Sequence, residues 1–295
     1  MKVDFLYYLL LFFVRLVAFL PLRFLYILSD LLFYPTYYLI GYRRKVVREN
    51  LQNSFPEKSL DEIISIEKRF YRHFCDYMME SIKQVSFSIE EIMARAEVKN
   101  IELINERFAQ GRSVIMLLGH YGNWEWYTSM IGRQKEILVA QVYRRLKNRN
   151  MDRLFLKIRS VYNTINIEKN TVFRELVVIK KKKQQILVGL LSDQTPSRNN
   201  LIYWTKFLNQ DTSVLVGAER IATKLDFDVY YMDVQKVARG RYTAEVKLIS
   251  NDPANTPEFE ITEKYARYME QTILRDPAFW LWTHRRWKHK PPHTN

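Results

Sequence analysis

The sequence predicts an α/β fold in which helices flank a mixed, mostly parallel central sheet, preceded by an apolar N-terminal helical segment. A short unbroken apolar run, such as residues 114–118, is typical of a strand buried on both faces, and residues 185–191 are predicted as another buried strand. Amphipathic stretches with helical spacing, such as residues 59–84, lie between these runs. Polar residues follow directly after the strand ends, where open α/β sheets bind their ligands.

The composition fits one large α/β domain with an appendage, because 295 residues with 47% apolar side chains can build a sizeable core. The net charge of +14 favours an anionic bilayer, an acidic carrier protein or a phosphorylated substrate, although nucleic acid would satisfy the same charge. A single cysteine, Cys75, excludes an internal disulfide and fits a reducing compartment. The sequence has no P-loop, no Gly-x-Gly-x-x-Gly and no Cys/His metal cluster, which argues against nucleotide-dependent and metal chemistry.

The N-terminal segment is apolar to residue 40, with Arg15, Arg23 and Asp30 as its charges after residue 5. It is long enough to cross a bilayer, but no window of 20 residues in it is free of charge. Three interpretations are open: one imperfect transmembrane helix, two helices around Pro21 that dip into one leaflet, or a buried apolar hairpin of a soluble domain. Because basic residues follow at once, residues 1–42 are predicted as a membrane anchor and residues 43–290 as a cytoplasmic domain.

The other elements follow from periodicity and from helix start and stop signals. Ser59 and Glu62 form a capping-box pattern at the start of the helix over 59–84, and Gly111 ends a short helix over 100–109. The remaining predicted segments are strands over 114–118, 137–142 and 185–191, a basic loop over 143–153, helices over 150–162 and 171–183, a loop over 197–211, a helix over 213–225, a strand pair over 227–237 and 240–249, a helix over 257–274, and a disordered tail over 291–295.

One histidine stands where the sheet predicts a ligand site. Gly119 ends the strand 114–118, His120 follows it, and the carboxylate Glu125 lies five residues later where a helix can begin. This geometry suits a general base whose imidazole is oriented, and whose imidazolium is stabilised, by an acid one helical turn away.

The stretch Gly-His-Tyr-Gly-Asn-Trp-Glu over 119–125 resembles the His-x4-Glu motif of the bacterial lipid A late (lauroyl/myristoyl) acyltransferases, within the lysophospholipid acyltransferase superfamily. The similarity continues in Asp193-Gln194 and in the Trp-rich stretch over 280–287, so it covers most of the chain. The resemblance implies a glycerol-3-phosphate acyltransferase-like fold.

The resemblance also implies roles for single residues. His120 and Glu125 would be the catalytic pair, and the Asp193-Gln194 pair would line the acceptor or donor pocket. The family has a comparable stretch with an arginine and an asparagine in the basic loop, and this favours Arg144 and Asn148 for binding phosphate or a donor pantetheine, a task that suits the planar guanidinium.

Further candidates complete the predicted site. The backbone N–H groups of Gly122 and Asn123, or Arg144, could stabilise a tetrahedral oxyanion. Arg285 could meet a phosphate, and His284 is a reserve candidate for the chemistry.

The predicted reaction is O-acylation of a lipid A precursor hydroxyl by a fatty acyl chain from acyl carrier protein, with no cofactor. No serine stands in a Gly-x-Ser-x-Gly context, so we expect direct transfer without an acyl-enzyme. The expected partners are acyl carrier protein, the lipid acceptor and anionic inner-membrane lipids, not nucleic acid, with the catalytic domain facing the cytoplasm. Two alternatives are open: an acyltransferase acting on another glycolipid or lysolipid, and a non-catalytic basic membrane scaffold.

Overall fold

A computed structural model of the protein describes residues 2–130, 137–160 and 164–291. The predicted tail lies outside the described residues from position 292 onward, as do the last two residues of the helix predicted over 150–162. In chain order the α-helices are α1 (Lys2–Phe19), α2 (Leu22–Tyr34), α3 (Arg44–Ser54), α4 (Leu60–Lys83), α5 (Ile89–Met93), α6 (Glu102–Ala109), α7 (Trp124–Met130), α8 (Arg149–Arg159), α9 (Val172–Lys181), α10 (Gly217–Leu225) and α11 (Glu260–Arg275).

The strands form one large sheet and one small hairpin. In chain order they are β1 (Ala96–Lys99), β2 (Val114–Leu118), β3 (Leu138–Tyr143), β4 (Ile165–Glu168), β5 (Ile186–Leu191), β6 (Tyr203–Phe207), β7 (Gln210–Val214), β8 (Asp228–Ala238) and β9 (Arg241–Ser250). The seven-stranded sheet has the order β1-β9-β8-β2-β5-β3-β4, and every pair in it is parallel except β8 with β9. The predicted fold class, a mixed and mostly parallel sheet flanked by helices, is confirmed.

Strand β2 lies at the centre of the sheet and all of its residues are buried. Its parallel neighbour β5 pairs with it in a register that sets Leu118 opposite Leu191. Both strands therefore end at the same edge of the sheet, and the residues that follow them, His120 and Asp193, leave the sheet side by side. This register is what assembles the candidate site.

Two parts of the sequence prediction for β-structure were wrong. Residues 203–214 form the antiparallel hairpin β6–β7 instead of a loop followed by the start of a helix. The hairpin turns through Leu208 and Asn209, both with positive φ, and packs on α11, where Glu263 accepts a hydrogen bond from Tyr203 at 2.9 Å. The short edge strands β1 and β4 were not predicted, because four residues are too few to show a period and their pairing comes from the neighbouring strand.

The N-terminal segment forms two helices, α1 and α2, bent by 114° at Pro21 and followed by the π-helix Pro35–Leu39. Among the described residues, no single helix is long and apolar enough to span a membrane, although the bent pair reaches that length and apolarity together. One side of the pair packs on α4 and α8, and most of the exposed large apolar side chains of the protein lie on its other side, for example Phe5, Phe12, Phe19 and Leu31. The structure thus has the two helices of the second interpretation, and their outer face is not buried as a soluble hairpin would require.

Helix α2 packs against the turn between β8 and β9, and we expect a side chain at Gly240 to destabilise the fold. A Cβ at Gly240 would lie 2.0 Å from the Tyr26 hydroxyl, and its φ is +68°. Gly111 has a similar φ of +77° with nothing within 4 Å, so Gly111→Ala measures backbone strain alone. We expect urea unfolding to show a loss of about 1 kcal/mol for Gly111→Ala and about 3 kcal/mol for Gly240→Ala. Equal losses would mean that Tyr26 yields without cost.

Candidate active site

The imidazole of His120, which follows β2, directly contacts the carboxylate of Asp193, which follows β5. Its Nδ1 lies 2.6 Å from Oδ1 of Asp193, and the His120 side chain is 15% exposed. The ring of Trp124 packs edge-on against it, with centroids 5.1 Å apart. A carboxylate at Nδ1 fixes the tautomer that has its proton there, which leaves Nε2 with a lone pair for accepting a proton.

Asp193 is buried and accepts hydrogen bonds from two further donors. Its Oδ2 receives the backbone N–H of His120 at 2.9 Å and the indole N–H of Trp280 at 2.7 Å. Burial by itself raises the pKa of Asp193, but the His120 imidazole and these hydrogen bonds outweigh burial and lower the pKa to about 2. The carboxylate is therefore ionised at neutral pH and stabilises a positive charge on the imidazole.

The expectation that Glu125 orients His120 is corrected by this geometry. The Glu125 carboxylate accepts two hydrogen bonds from the guanidinium of Arg159, at 2.6 and 3.0 Å. Glu125 is the second residue of α7, and its side chain reaches Arg159, the last residue of α8. Burial and the nearby Glu125 carboxylate also raise the pKa of Tyr77. Sequence reasoning missed Arg159 because nothing local distinguishes it from the other basic residues of its helix.

The turn that carries His120 is held by its backbone and by Asn123. The N–H of Gly122 donates to the carbonyl of Phe279 at 2.9 Å, so the prediction that it serves an oxyanion is wrong for this donor. Gly122 has a φ of +60°, and a Cβ there would meet Val234 and Tyr242 at 3.1 to 3.3 Å. The Asn123 side chain is fully buried and caps α7 by accepting the N–H of Trp126 at 3.3 Å. Both residues shape the turn.

Gln194 faces the other ring nitrogen of His120. Its side-chain Nε2 is 3.2 Å from Nε2 of the imidazole, so its amide can donate to the lone pair that Asp193 leaves there. Gln194 is half-buried, unlike Asp193 before it. The structure thus brings His120, Asp193 and Gln194 together, as a single cluster at the carboxyl ends of β2 and β5.

The basic loop contributes less directly. Arg144 is exposed and lines a cavity of about 150 Å³ together with Tyr143, Phe155 and Arg159. The side-chain oxygen of Asn148 accepts the N–H groups of Asn150 and Met151 at 3.0 and 3.1 Å, which makes Asn148 the N-cap of α8.

The C-terminal segment covers the site and supplies a residue that sequence reasoning did not assign to it. That residue is Trp280, whose indole N–H donates to Asp193. Arg285 is exposed, whereas its neighbour Arg286 is buried. The ring Nε2 of His284 accepts the backbone N–H of Thr195 at 3.1 Å, and burial lowers the pKa of His284 to about 4, so it is a neutral acceptor that holds the chain after Gln194.

The chain matches a known family along nearly its whole length. Residues 1–289 match the family model described as bacterial lipid A biosynthesis acyltransferase. No curated protein matches the chain significantly. The match includes the N-terminal helix pair, both strands that carry the site and the Trp-rich segment that covers it.

The depressed pKa of Asp193 predicts a pH-dependent contribution to stability. The ionised carboxylate stabilises the folded state at any pH above its ordinary pKa, and this stabilisation is lost as the pH falls through about 2. We expect Asp193→Asn to lower the free energy of unfolding by about 2 kcal/mol at pH 7 and by roughly half of that near pH 3. Asp211→Asn, at a half-exposed side chain, is the matched control and should cost about 0.5 kcal/mol or less at either pH. A pH-independent loss in Asp193→Asn would contradict the assignment.

Proposed function

The chain belongs to the bacterial lipid A biosynthesis acyltransferase family, and from this membership we propose that it transfers a fatty acyl group from acyl carrier protein to a hydroxyl of a lipid A precursor. Membership makes it an acyltransferase with a lipid acceptor. The observation that carries the proposed chemistry is the pairing of His120 with Asp193 at 2.6 Å, which leaves the Nε2 lone pair facing the side-chain amide of Gln194.

The first step of the proposed mechanism is proton removal. The acceptor hydroxyl takes the place of the Gln194 amide at Nε2 of His120 and gives its proton to that nitrogen, while the hydroxyl oxygen attacks the thioester carbonyl carbon. The resulting imidazolium is stabilised by the Asp193 carboxylate at Nδ1. When the tetrahedral intermediate collapses, the C–S bond breaks and the imidazolium protonates the departing thiolate, which restores neutral His120.

The oxyanion of the tetrahedral intermediate needs a donor close to Nε2. The displaced amide of Gln194 is placed for this role, because its nitrogen starts 3.2 Å from Nε2. Arg144 on the wall of the nearby cavity remains a candidate for the donor's phosphate. Transfer is direct, without an acyl-enzyme and without a cofactor.

The Glu125–Arg159 pair is proposed to support the site from one side. Arg159 both binds Glu125 and lines the cavity of about 150 Å³, so the pair joins the start of α7 to the end of α8 next to the catalytic turn. A buried carboxylate with a bidentate guanidinium fixes the relative position of two helices.

A bilayer is the proposed source of the acceptor. Helices α1 and α2 present an apolar outer face that includes Phe12, Phe13 and Leu16, each more than half exposed. An exposed apolar surface of this extent is unusual on a soluble protein and fits insertion into the interface of an anionic membrane. The net charge of +14 favours the same membrane and an acidic carrier protein.

Lipid mass spectrometry of a strain that lacks the protein separates the proposal from its alternatives. We expect lipid A to lose one acyl chain, restored by the wild-type protein and not by His120→Ala. Loss of an acyl chain from another glycolipid or lysolipid would replace the acceptor and keep the chemistry. Unchanged lipids would favour a non-catalytic scaffold and overturn the proposal.

The carboxylate that orients His120 can be identified kinetically. With lauroyl-acyl carrier protein as donor and a lipid A precursor as acceptor, we expect Asp193→Asn to lower kcat by roughly 10³-fold, because an amide at Nδ1 no longer fixes the tautomer. Glu125→Gln keeps the shape of the Arg159 contact and should cost less, about tenfold. The reverse order of effects would return the orienting role to Glu125.

Membrane binding is expected to depend on the outer face of α1 and not on the active site. Combined Phe12→Ser, Phe13→Ser and Leu16→Ser should move most of the protein to the soluble fraction in flotation with phosphatidylglycerol vesicles, because the variant loses the exposed apolar area that inserts. Leu274→Ser, at a residue of similar exposure on α11, and His120→Ala should float like the wild type. Flotation of the triple variant would assign binding to another surface.

A further inference from the structure

A buried carboxylate lies beneath the turn that carries His120. Glu80, near the end of α4, is fully buried, and its oxygens accept hydrogen bonds from Asn123, Tyr242 and Tyr26. The distances from the three donor atoms are 2.9 Å for Asn123 Nδ2, 2.8 Å for the Tyr242 hydroxyl and 2.9 Å for the Tyr26 hydroxyl. The carboxylate therefore joins three parts of the chain at one point.

The first of these parts is the turn after β2. Asn123 donates to Glu80 with its side-chain nitrogen while its side-chain oxygen accepts the N–H of Trp126, so Glu80 fixes the rotamer of the residue that caps α7. The indole N–H of Trp126 donates to the backbone carbonyl of Glu80 at 3.3 Å. The start of α7 thus has two hydrogen bonds to one residue of α4.

A second contact holds the same turn from the same helix. His73 lies two turns before Glu80 on the same face of α4. Its ring Nε2 is 3.3 Å from the Gly122 carbonyl and its Nδ1 is 3.2 Å from Nζ of Lys236. Lys236 in turn lies 3.6 Å from the Asp76 carboxylate. Gly122 and Asn123 lie two and three residues after His120, and these contacts from α4 hold both of them in place.

The second part is strand β9, which carries Tyr242. The third part is the apolar N-terminal helix pair. Tyr26 is on α2, and the turn between β8 and β9 holds it from outside, with the Arg239 guanidinium 4.4 Å from its ring centroid. Arg239 also bridges Asp30 of α2 to Asp76 of α4, at 2.7 and 2.6 Å. Ser29 adds a hydrogen bond to Asp76 at 2.7 Å. Helix α2 is therefore docked by specific polar contacts whose innermost member is Tyr26.

We propose that Glu80 is a positioning residue: through it, the position of the N-terminal helix pair determines the geometry of the turn that carries His120. The inference rests on the proposed function and adds a link between the lipid-facing segment and the site. Tyr26, Glu80 and Asn123 are joined in series by hydrogen bonds of 2.9 Å, and no solvent reaches Glu80 or Asn123. A shift of α2 is transmitted to Asn123, because a buried carboxyl group keeps its hydrogen-bond partners.

The chain offers a matched control for this link. Tyr37 donates to a second buried carboxylate of α4, Glu67, at the same distance of 2.9 Å, but Glu67 is paired with Arg48 and not with the catalytic turn. Tyr26→Phe and Tyr37→Phe each remove one hydroxyl from one buried glutamate. Only the first removal affects a carboxylate that binds Asn123.

The experiment compares full-length wild type, Tyr26→Phe, Glu80→Gln and Tyr37→Phe with lauroyl-acyl carrier protein and a lipid A precursor in mixed micelles. We expect kcat to fall about threefold in Tyr26→Phe and roughly tenfold in Glu80→Gln with KM for both substrates little changed, because positioning acts on the transition state. Tyr37→Phe should keep the wild-type kcat at a similar loss of thermal stability. In parallel, hydrogen–deuterium exchange of residues 119–126 should rise in the first two variants only.

The outcomes separate the two hypotheses. If the wild type transfers no acyl group, the proposed function fails, and hydrogen exchange still tests the link. If the wild type is active but the kcat loss follows thermal stability equally in Tyr26→Phe and Tyr37→Phe, or if exchange of residues 119–126 is unchanged in Glu80→Gln, Glu80 is merely structural and the inference is overturned.

Discussion

The site depends on one buried charge. Asp193 accepts three hydrogen bonds, from the backbone and the ring of His120 and from the indole of Trp280. A buried carboxylate without such donors would be protonated or would destabilise the fold by several kcal/mol, so its donors have to be held in place. Asp193 follows β5, and its donors come from the end of β2 and from the C-terminal segment. The hydrogen bonds that stabilise the buried charge therefore also assemble the site.

Two buried carboxylates contact the turn that carries His120, each from a different element. Asp193 meets His120 from the side of β5, and Glu80 meets Asn123 from the side of α4. The turn between them has short backbone bonds to the C-terminal segment, since Gly122 donates to Phe279 and the His120 carbonyl accepts the N–H of Leu281 at 3.0 Å. In this arrangement the imidazole Nε2 faces the side chain of Gln194.

Most of the fold could be read from the sequence, because its long elements have a clear period. Helix α4 begins at the Ser59 cap with Glu62 as its partner, as the capping box predicts, and the strands β8 and β9 start within one residue of their predicted positions. The hairpin β6–β7 could not be predicted from the sequence. Most residues of β6 are only half-buried, and the hairpin packs on α11, which lies far along the chain. Strands β1 and β4 could not be read because four residues are too few to show a period.

The sequence by itself determined which residue types stand at the ends of the buried strands: a histidine after β2 and an aspartate after β5. Only the tertiary structure decided how they pair. His120 lies in the turn before α7, and Glu125 lies in the first turn of that helix, where it binds Arg159. The parallel register of β2 with β5, in contrast, sets Asp193 beside His120 across 73 positions of sequence. Helical spacing is local and visible in the sequence, whereas strand order and register arise from packing between distant segments. Strand order and register therefore determine which carboxylate pairs with the imidazole.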